Sequence, residues 1–264
     1  MLRIDLLVVK HLLGFSVAAY YSIPLFISNL IRVPGRSIMA IALPLISKGW
    51  KENDLESIRD IYKKTAINQL LISSFIFFGI WINIDFVMII LGDKFGSETI
   101  KWIILILGLR SIVDSSAGIN GGILNQSDSY KVYFLIQMIV IGILVGSFYI
   151  LIPPYGIIGA AMSVFITVLL RNAINTIFLQ VKYKMHPFSL KYLYAVIIII
   201  VVWGIGTIIP AIEPRILDLL VRSFIFSTCY FALVWFTKVS PDINTNLTMV
   251  WQNLRQSISS KKQR

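Results

Sequence analysis

Five ionisable side chains lie inside long apolar stretches of the sequence. They are four arginines and one aspartate: Arg32, Arg36, Arg110, Asp114 and Arg171. Facing lipid at the middle of a bilayer, each would cost about 3 kcal/mol, and all five together on the order of 15 kcal/mol. We therefore expect these side chains to line a polar interior. Because four guanidiniums stand against one carboxylate, that interior is predicted to be cationic and suited to an anion.

Two groups of polar residues are candidates for binding such an anion. Asn29, Arg32 and Arg36 follow one another at intervals of three and four residues, which places them on one face of a helix. Guanidinium forks bind phosphate oxygens in pairs and stay charged at physiological pH. In a simpler alternative, Arg36 reaches toward the cytoplasm and Arg32 alone lies deep. Arg171 lies near the middle of a later apolar stretch, with Asn175 one turn beyond it.

Arg110 and Asp114 are separated by four residues, so they can form an ion pair along their own helix. A neutralised pair is a structural way to keep two charges inside a helix bundle. The alternative is a ligand-binding or coupling role, in which Asp114 binds a proton or a sodium ion.

The sequence gives no sign of metal, cofactor or hydrolytic chemistry. His11 and His186 have no second ligand at metal-binding spacing, and the single Cys229 cannot form an intrachain disulfide. Walker loops, GxSxG elbows, HExxH pairs and Rossmann glycine patterns do not occur in it. We expect neither a metal site nor a cofactor, and we expect the protein not to be an enzyme.

The elements that must position these residues are membrane helices. Of the 264 residues, 57% are hydrophobic and 14% charged, against about 25% charged in soluble domains. Windows of about 19 residues predict seven full spans after an N-terminal partial helix over residues 1–13. The spans are residues 17–46, 67–91, 100–124, 132–152, 157–180, 194–212 and 217–236. The predicted fold is therefore an all-α polytopic membrane protein with about seven full transmembrane helices.

Basic residues gather in alternate connections between these spans. The connections rich in lysine and arginine are residues 47–66, 181–191 and the tail after 236, whereas those at 92–101, 153–156 and 211–216 are poor. By the positive-inside rule the rich connections and the C-terminus are cytoplasmic. This topology explains the net charge of +11, so we expect no nucleic-acid partner.

One connection is predicted to contain a helix of its own. Residues 53–66 have a candidate N-cap in Asn53 and a capping-box glutamate in Glu56. Their apolar positions share one face, so we predict a short helix lying on the inner membrane surface.

Several short runs occur in an order that resembles one known family. They are YSIPLFISN at 21–29, RVPGR at 32–36, LPLISKGW at 43–50, LRSIVD at 109–114, GING at 118–121, IPPYGIIGAA at 152–161 and RN at 171–172. Together they are similar to the C-terminal half of polysaccharide biosynthesis flippases of the Wzx type. These flippases belong to the multidrug/oligosaccharidyl-lipid/polysaccharide exporter superfamily, which includes the MATE-like transporters. The resemblance covers nearly all of residues 1–190 and depends on the order and spacing of the runs.

The resemblance implies a transporter that flips an undecaprenyl-pyrophosphate-linked oligosaccharide, of O-antigen or capsule type, across the cell inner membrane. Residues 1–180 would be a six-helix lobe with a truncated first helix, residues 181–237 two additional transmembrane helices, and residues 238–264 a basic cytoplasmic tail. In the implied mechanism two lobes rock about a central cavity whose cationic wall binds the pyrophosphate. The implied partners are the lipid-linked oligosaccharide, membrane lipids, and a missing N-terminal lobe or the polysaccharide polymerase machinery.

Two alternatives stay open. One is a multidrug exporter of the same superfamily, which exchanges organic cations for protons or sodium and should carry uncompensated carboxylates in its cavity. The other is an inactive truncated membrane fragment, or one that assembles with another membrane protein. The excess of arginine over carboxylate favours the flippase.

Overall fold

The computed structural model describes residues 4–95, 98–208 and 213–240, and within these ranges every regular element is an α-helix. In chain order they are α1 (Ile4–Leu13), α2 (Phe15–Lys51), α3 (Leu55–Trp81), α4 (Ile84–Phe95), α5 (Glu98–Ser116), α6 (Asn120–Gln126), α7 (Tyr130–Tyr183), α8 (Leu190–Ile208) and α9 (Arg215–Thr237). Most of the predicted basic tail, and residues 209–212 of the predicted span 194–212, lie outside the described residues.

Several of these helices are long and apolar enough to cross a membrane. α2, α7, α8 and α9 qualify alone. Two pairs of helices raise the number to six if each pair is one span: α3 and α4, with a bend of 61° between them, and α5 and α6, with a bend of 48°. Large apolar side chains such as Phe26, Ile150 and Phe224 are exposed on their outer faces, as expected for contact with lipid. The all-α architecture is confirmed, with four to six candidate membrane spans by length and composition, and the predicted count of about seven is not confirmed.

α7 contains 54 residues but folds back on itself. Gly156 leaves the helical conformation there, with φ 57° and ψ −135°, a left-handed backbone that glycine adopts without a steric penalty. Ser129, just before the helix, has its hydroxyl oxygen 2.7 Å from that of Tyr183, its last residue. A straight helix of this length would hold its ends about 80 Å apart. α7 is therefore a hairpin of two helical halves, 130–155 and 157–183, close to the turn predicted at 153–156.

α2 carries three of the predicted site residues and is longer than one membrane crossing requires. Its 37 residues extend about 55 Å at 1.5 Å per residue, against about 30 Å of hydrocarbon. Pro24, Pro34 and Pro44 all lie inside this helix.

The start of α3 corrects the predicted surface helix over residues 53–66. Asp54, and not Asn53, is the N-cap, because its carboxylate accepts a hydrogen bond from the Ser57 amide at 2.9 Å. Asn53 instead has a positive φ of 56°. The helix then continues without a break to Trp81. The change from charged to apolar residues alters the surroundings of the helix but does not end it.

A buried contact between α2 and α5 holds the central helices together. The hydroxyl oxygens of Ser28 and Ser111 are 2.7 Å apart, and both serines also contact the Leu107 carbonyl oxygen, at 3.2 and 3.0 Å. Ser28 lies one turn before Arg32, and Ser111 lies about one turn before Asp114. The contact therefore brings these two charged residues, from distant parts of the chain, to the same level of the bundle.

α8 and α9 pack on α3, away from these residues. Tyr230 of α9 donates a hydrogen bond to the Leu71 carbonyl oxygen of α3 at 2.8 Å. Phe226 stacks on Phe75 with ring centroids 5.6 Å apart. The two helices thus cover one side of α3 through apolar contacts.

Candidate functional site

The carboxylate of Asp114 on α5 lies between two arginines from different helices. Its Oδ2 accepts from Nη2 of Arg32 on α2 at 3.0 Å, and its Oδ1 accepts from Nη2 of Arg171 on α7. The Asn172 amide nitrogen is 3.4 Å from the same Oδ1. The side chains of Arg32, Asp114 and Arg171 are only 23%, 14% and 18% exposed. The fold therefore brings three of the predicted residues into one mostly buried ion cluster.

This cluster replaces the predicted ion pair between Arg110 and Asp114. In the part of the chain that the structure describes, Arg110 forms no ion pair, and its Nε is buried without a hydrogen-bond partner. Their spacing permits a contact along α5. The two carboxylate oxygens are bound instead by arginines from the neighbouring helices α2 and α7. Arg110 thus adds a third guanidinium one helical turn away from the carboxylate.

Asn29 and Arg36 share the α2 face of Arg32 by their spacing but stay outside these contacts. Arg36 is exposed and Asn29 is partly exposed. Neither side chain forms an ion pair or a hydrogen bond with the described residues. Their contact with a bound anion therefore stays a prediction.

Amide and hydroxyl groups continue from the ion cluster toward α3. The Asn120 amide nitrogen on α6 lies 3.3 Å from the side-chain oxygen of Asn172 and 3.4 Å from the Thr176 hydroxyl. That hydroxyl is 3.3 Å from the Tyr62 hydroxyl on α3. Sequence reasoning missed Asn120, Thr176 and Tyr62. The available signal was the one-turn spacing of Asn172 and Thr176 within an apolar stretch.

Asn175, one turn beyond Arg171, is 1% exposed. Its side-chain oxygen is buried and has no hydrogen-bond partner among the described residues. A buried acceptor left in this state costs about 1–3 kcal/mol. Its predicted role in binding stays a prediction.

The two neighbouring asparagines should respond differently to the same substitution. We expect Asn172→Leu to destabilise the detergent-purified chain by about 1–3 kcal/mol, because it strips partners from Asp114 and Asn120. Asn175→Leu, the matched control, should leave the stability unchanged or raise it, because it removes an unpaired oxygen. Melting temperatures followed by tryptophan fluorescence compare the variants. Equal losses at both positions would contradict the hydrogen-bond pattern.

The free donors of the cluster determine what it can bind. Arg32 and Arg171 each contact Asp114 through one nitrogen, whereas a guanidinium has five N–H donors. Three guanidiniums, with that of Arg110, and one carboxylate give these four side chains a net charge of +2. The remaining N–H groups can donate hydrogen bonds to the oxygens of a phosphate or a pyrophosphate.

Comparisons of the chain with models of protein families, with curated proteins and with solved structures find no match. In the ranges that the structure describes, no three His, Cys, Asp or Glu side chains come together to hold a metal ion. The geometry and charge of the ion cluster are therefore the basis for inferring a function.

Proposed function

We propose that the chain binds the pyrophosphate of a lipid-linked oligosaccharide and carries it across the cell inner membrane as one lobe of a flippase. The observation that carries this proposal is that Arg32 and Arg171 both bind the carboxylate of Asp114 within apolar helices, with Arg110 one turn before it on α5. Ionisable groups at such a depth are costly, and they mark substrate or ion pathways in membrane proteins. A pyrophosphate that links a lipid to a sugar carries two negative charges, which equals the excess of the cluster.

The state of Asp114 favours this function over export of organic cations. A cation exporter requires a carboxylate that is free to attract its substrate, whereas both oxygens of Asp114 are bound by arginines. The lipid-linked oligosaccharide, the membrane lipids and a second lobe that faces the cluster remain the partners in this proposal. Contact with the polysaccharide polymerase machinery is part of the same proposal.

A membrane topology with seven spans accompanies the proposed function. The α7 hairpin then supplies two spans, the bent pairs α3–α4 and α5–α6 supply one each, and α2, α8 and α9 supply the others. Residues 1–180 form the lobe, and α8 and α9 are the two additional helices over 181–237. The basic connections and the tail over 238–264, almost all of it outside the described residues, lie in the cytoplasm.

The proposed function is tested by the affinity of the full chain for isoprenyl lipids. In lipid nanodiscs we expect farnesyl pyrophosphate to bind at least about tenfold more tightly than farnesyl monophosphate, because it makes an additional charge-assisted contact. Farnesol should bind most weakly. Microscale thermophoresis measures the three dissociation constants. Equal affinities, or tighter binding of tetraphenylphosphonium, would reject the proposed function and favour a cation exporter.

The proposed topology predicts opposite locations for two turns. A reporter inserted at residues 52–53, between α2 and α3, should be cytoplasmic because the flanking segment is rich in lysine. A reporter at residues 155–156, in the α7 turn, should lie on the periplasmic side of the inner membrane. Paired fusions to green fluorescent protein and alkaline phosphatase report the two locations. The reverse pattern would overturn the orientation, and two locations on the same side would overturn the span count.

A further inference from the structure

Asp114 occupies the position that an anion bound by both arginines would take. The carboxylate lies between Arg32 and Arg171 and uses one nitrogen of each guanidinium. An anion can reach the free N–H donors with Asp114 in place, but a phosphate group seated between the two arginines needs the two Nη2 donors and the space that the carboxylate holds. Binding of an anion in this position therefore requires the carboxylate to move away.

Arg110 offers the displaced carboxylate another partner. It precedes Asp114 by four residues on α5, a spacing at which side chains on one helix meet. It forms no ion pair with any residue that the structure describes, and its Nε is buried without a hydrogen-bond partner. An unpaired carboxylate in this interior would be strongly unfavourable, but a turn toward Arg110 keeps it paired.

We propose that Asp114 is an internal competitor for the anion-binding site and that Arg110 is its alternative partner. Without a ligand, Asp114 binds Arg32 and Arg171, as the structure has it. When an anion takes these two arginines, Asp114 turns to Arg110. Arg110 is then a positioning residue, which acts on the anion through Asp114. This inference rests on the proposed function, because it requires that the cluster bind an anion.

Asp114→Asn removes the competing charge and tests the first half of the proposal. With farnesyl pyrophosphate as the probe and the full chain in nanodiscs, we expect its affinity to rise about tenfold. The matched control is Asp85→Asn. Asp85 forms an ion pair with Lys101, with a nitrogen–oxygen distance of 3.1 Å, and this pair is remote from the cluster. The control should bind the probe like the wild type. An unchanged or lower affinity of Asp114→Asn would overturn the inference.

Arg110→Gln, made with and without Asp114→Asn, tests the second half as a double-mutant cycle. With Asp114 present, the substitution should weaken binding about tenfold, because the displaced carboxylate then has no partner. With Asp114→Asn present, the loss should fall to about twofold. An equal loss in both backgrounds would mean that Arg110 contacts the anion directly, and this would overturn its positioning role.

If Asp114→Asn does not fold, a spectroscopic measurement on the wild-type chain tests the proposal instead. Infrared difference spectra of the chain with ¹³C-labelled aspartate should show one carboxylate band that shifts when farnesyl pyrophosphate binds, and Arg110→Gln should change this shift. Binding of the probe without any carboxylate shift would overturn the partner exchange but leave the proposed function intact. Folded wild-type and Asp114→Asn chains that both fail to bind the probe would overturn both proposals.

Discussion

Arg32→Ala is expected to lower the affinity of the full chain for farnesyl pyrophosphate about ten- to a hundredfold. A hydrogen bond to a charged group contributes about 1.5–3 kcal/mol, and each 1.4 kcal/mol corresponds to a factor of about ten. Arg32→Lys should give an intermediate affinity, because it keeps the charge but loses the two-pronged geometry of the guanidinium. Microscale thermophoresis in nanodiscs, at equal amounts of folded protein, measures the change.

Arg222→Ala is the matched control for this experiment. Arg222 also pairs with an aspartate, with its Nε 2.8 Å from an oxygen of Asp218 one turn away on α9. The control variant thus loses an arginine–aspartate contact of the same kind in a helix remote from the ion cluster. We expect its affinity for the probe to equal that of the wild type. Equal losses at both positions, or a loss at Arg32 that follows only from less folded protein, would assign Arg32 to folding.

Gly159→Ala is expected to destabilise the chain by about 3 kcal/mol, the upper part of the usual range for overpacking. A Cβ at this position would overlap the main-chain carbonyl of Leu151, which belongs to the other half of the α7 hairpin. Main-chain atoms cannot rotate away, so the two halves must separate. The melting temperature of the purified chain and the amount of protein in the membrane report the loss.

The same substitution at Gly142 is the control for the hairpin. Gly142 lies in the first half of α7, and a Cβ there would meet no atom within 4 Å. Because alanine favours a helix over glycine by about 1 kcal/mol, Gly142→Ala should be neutral or slightly stabilising. A similar loss at both glycines would mean that the hairpin is not the conformation of α7 in the membrane.

The helices could be predicted from the sequence because apolar composition is a local property. The predicted span 217–236 falls within α9 (Arg215–Thr237), and the predicted turn at 153–156 ends at the residue where α7 reverses. A predicted boundary failed at residues 53–66, where a change of polarity suggested a separate helix. A change of polarity shows that the surroundings of a helix change, but a helix ends only where its backbone leaves the helical conformation. In α3 the backbone stays helical to Trp81.

The members of the ion cluster could be named from the sequence, but the partners of Asp114 could not. A charged residue within an apolar stretch stands out without any knowledge of its neighbours. Which arginine it meets depends on how helices distant in the sequence pack. Arg110 was the nearest candidate along the chain, and the structure places Arg32 and Arg171 closer. The polar residues Asn120 and Tyr62 were missed because their role exists only in the packed bundle.

The ion cluster also has a consequence for the order in which the chain enters the membrane during synthesis. Asp114 precedes Arg171 by 57 residues, and Arg32 is made well before either of them. Until the second half of α7 emerges from the ribosome, α2 and α5 hold charged groups that lack their full set of partners. Release of each span singly into lipid would cost about 3 kcal/mol per charge. The spans are therefore expected to stay beside the translocon and to enter the bilayer as a group, once Arg171 has completed the cluster.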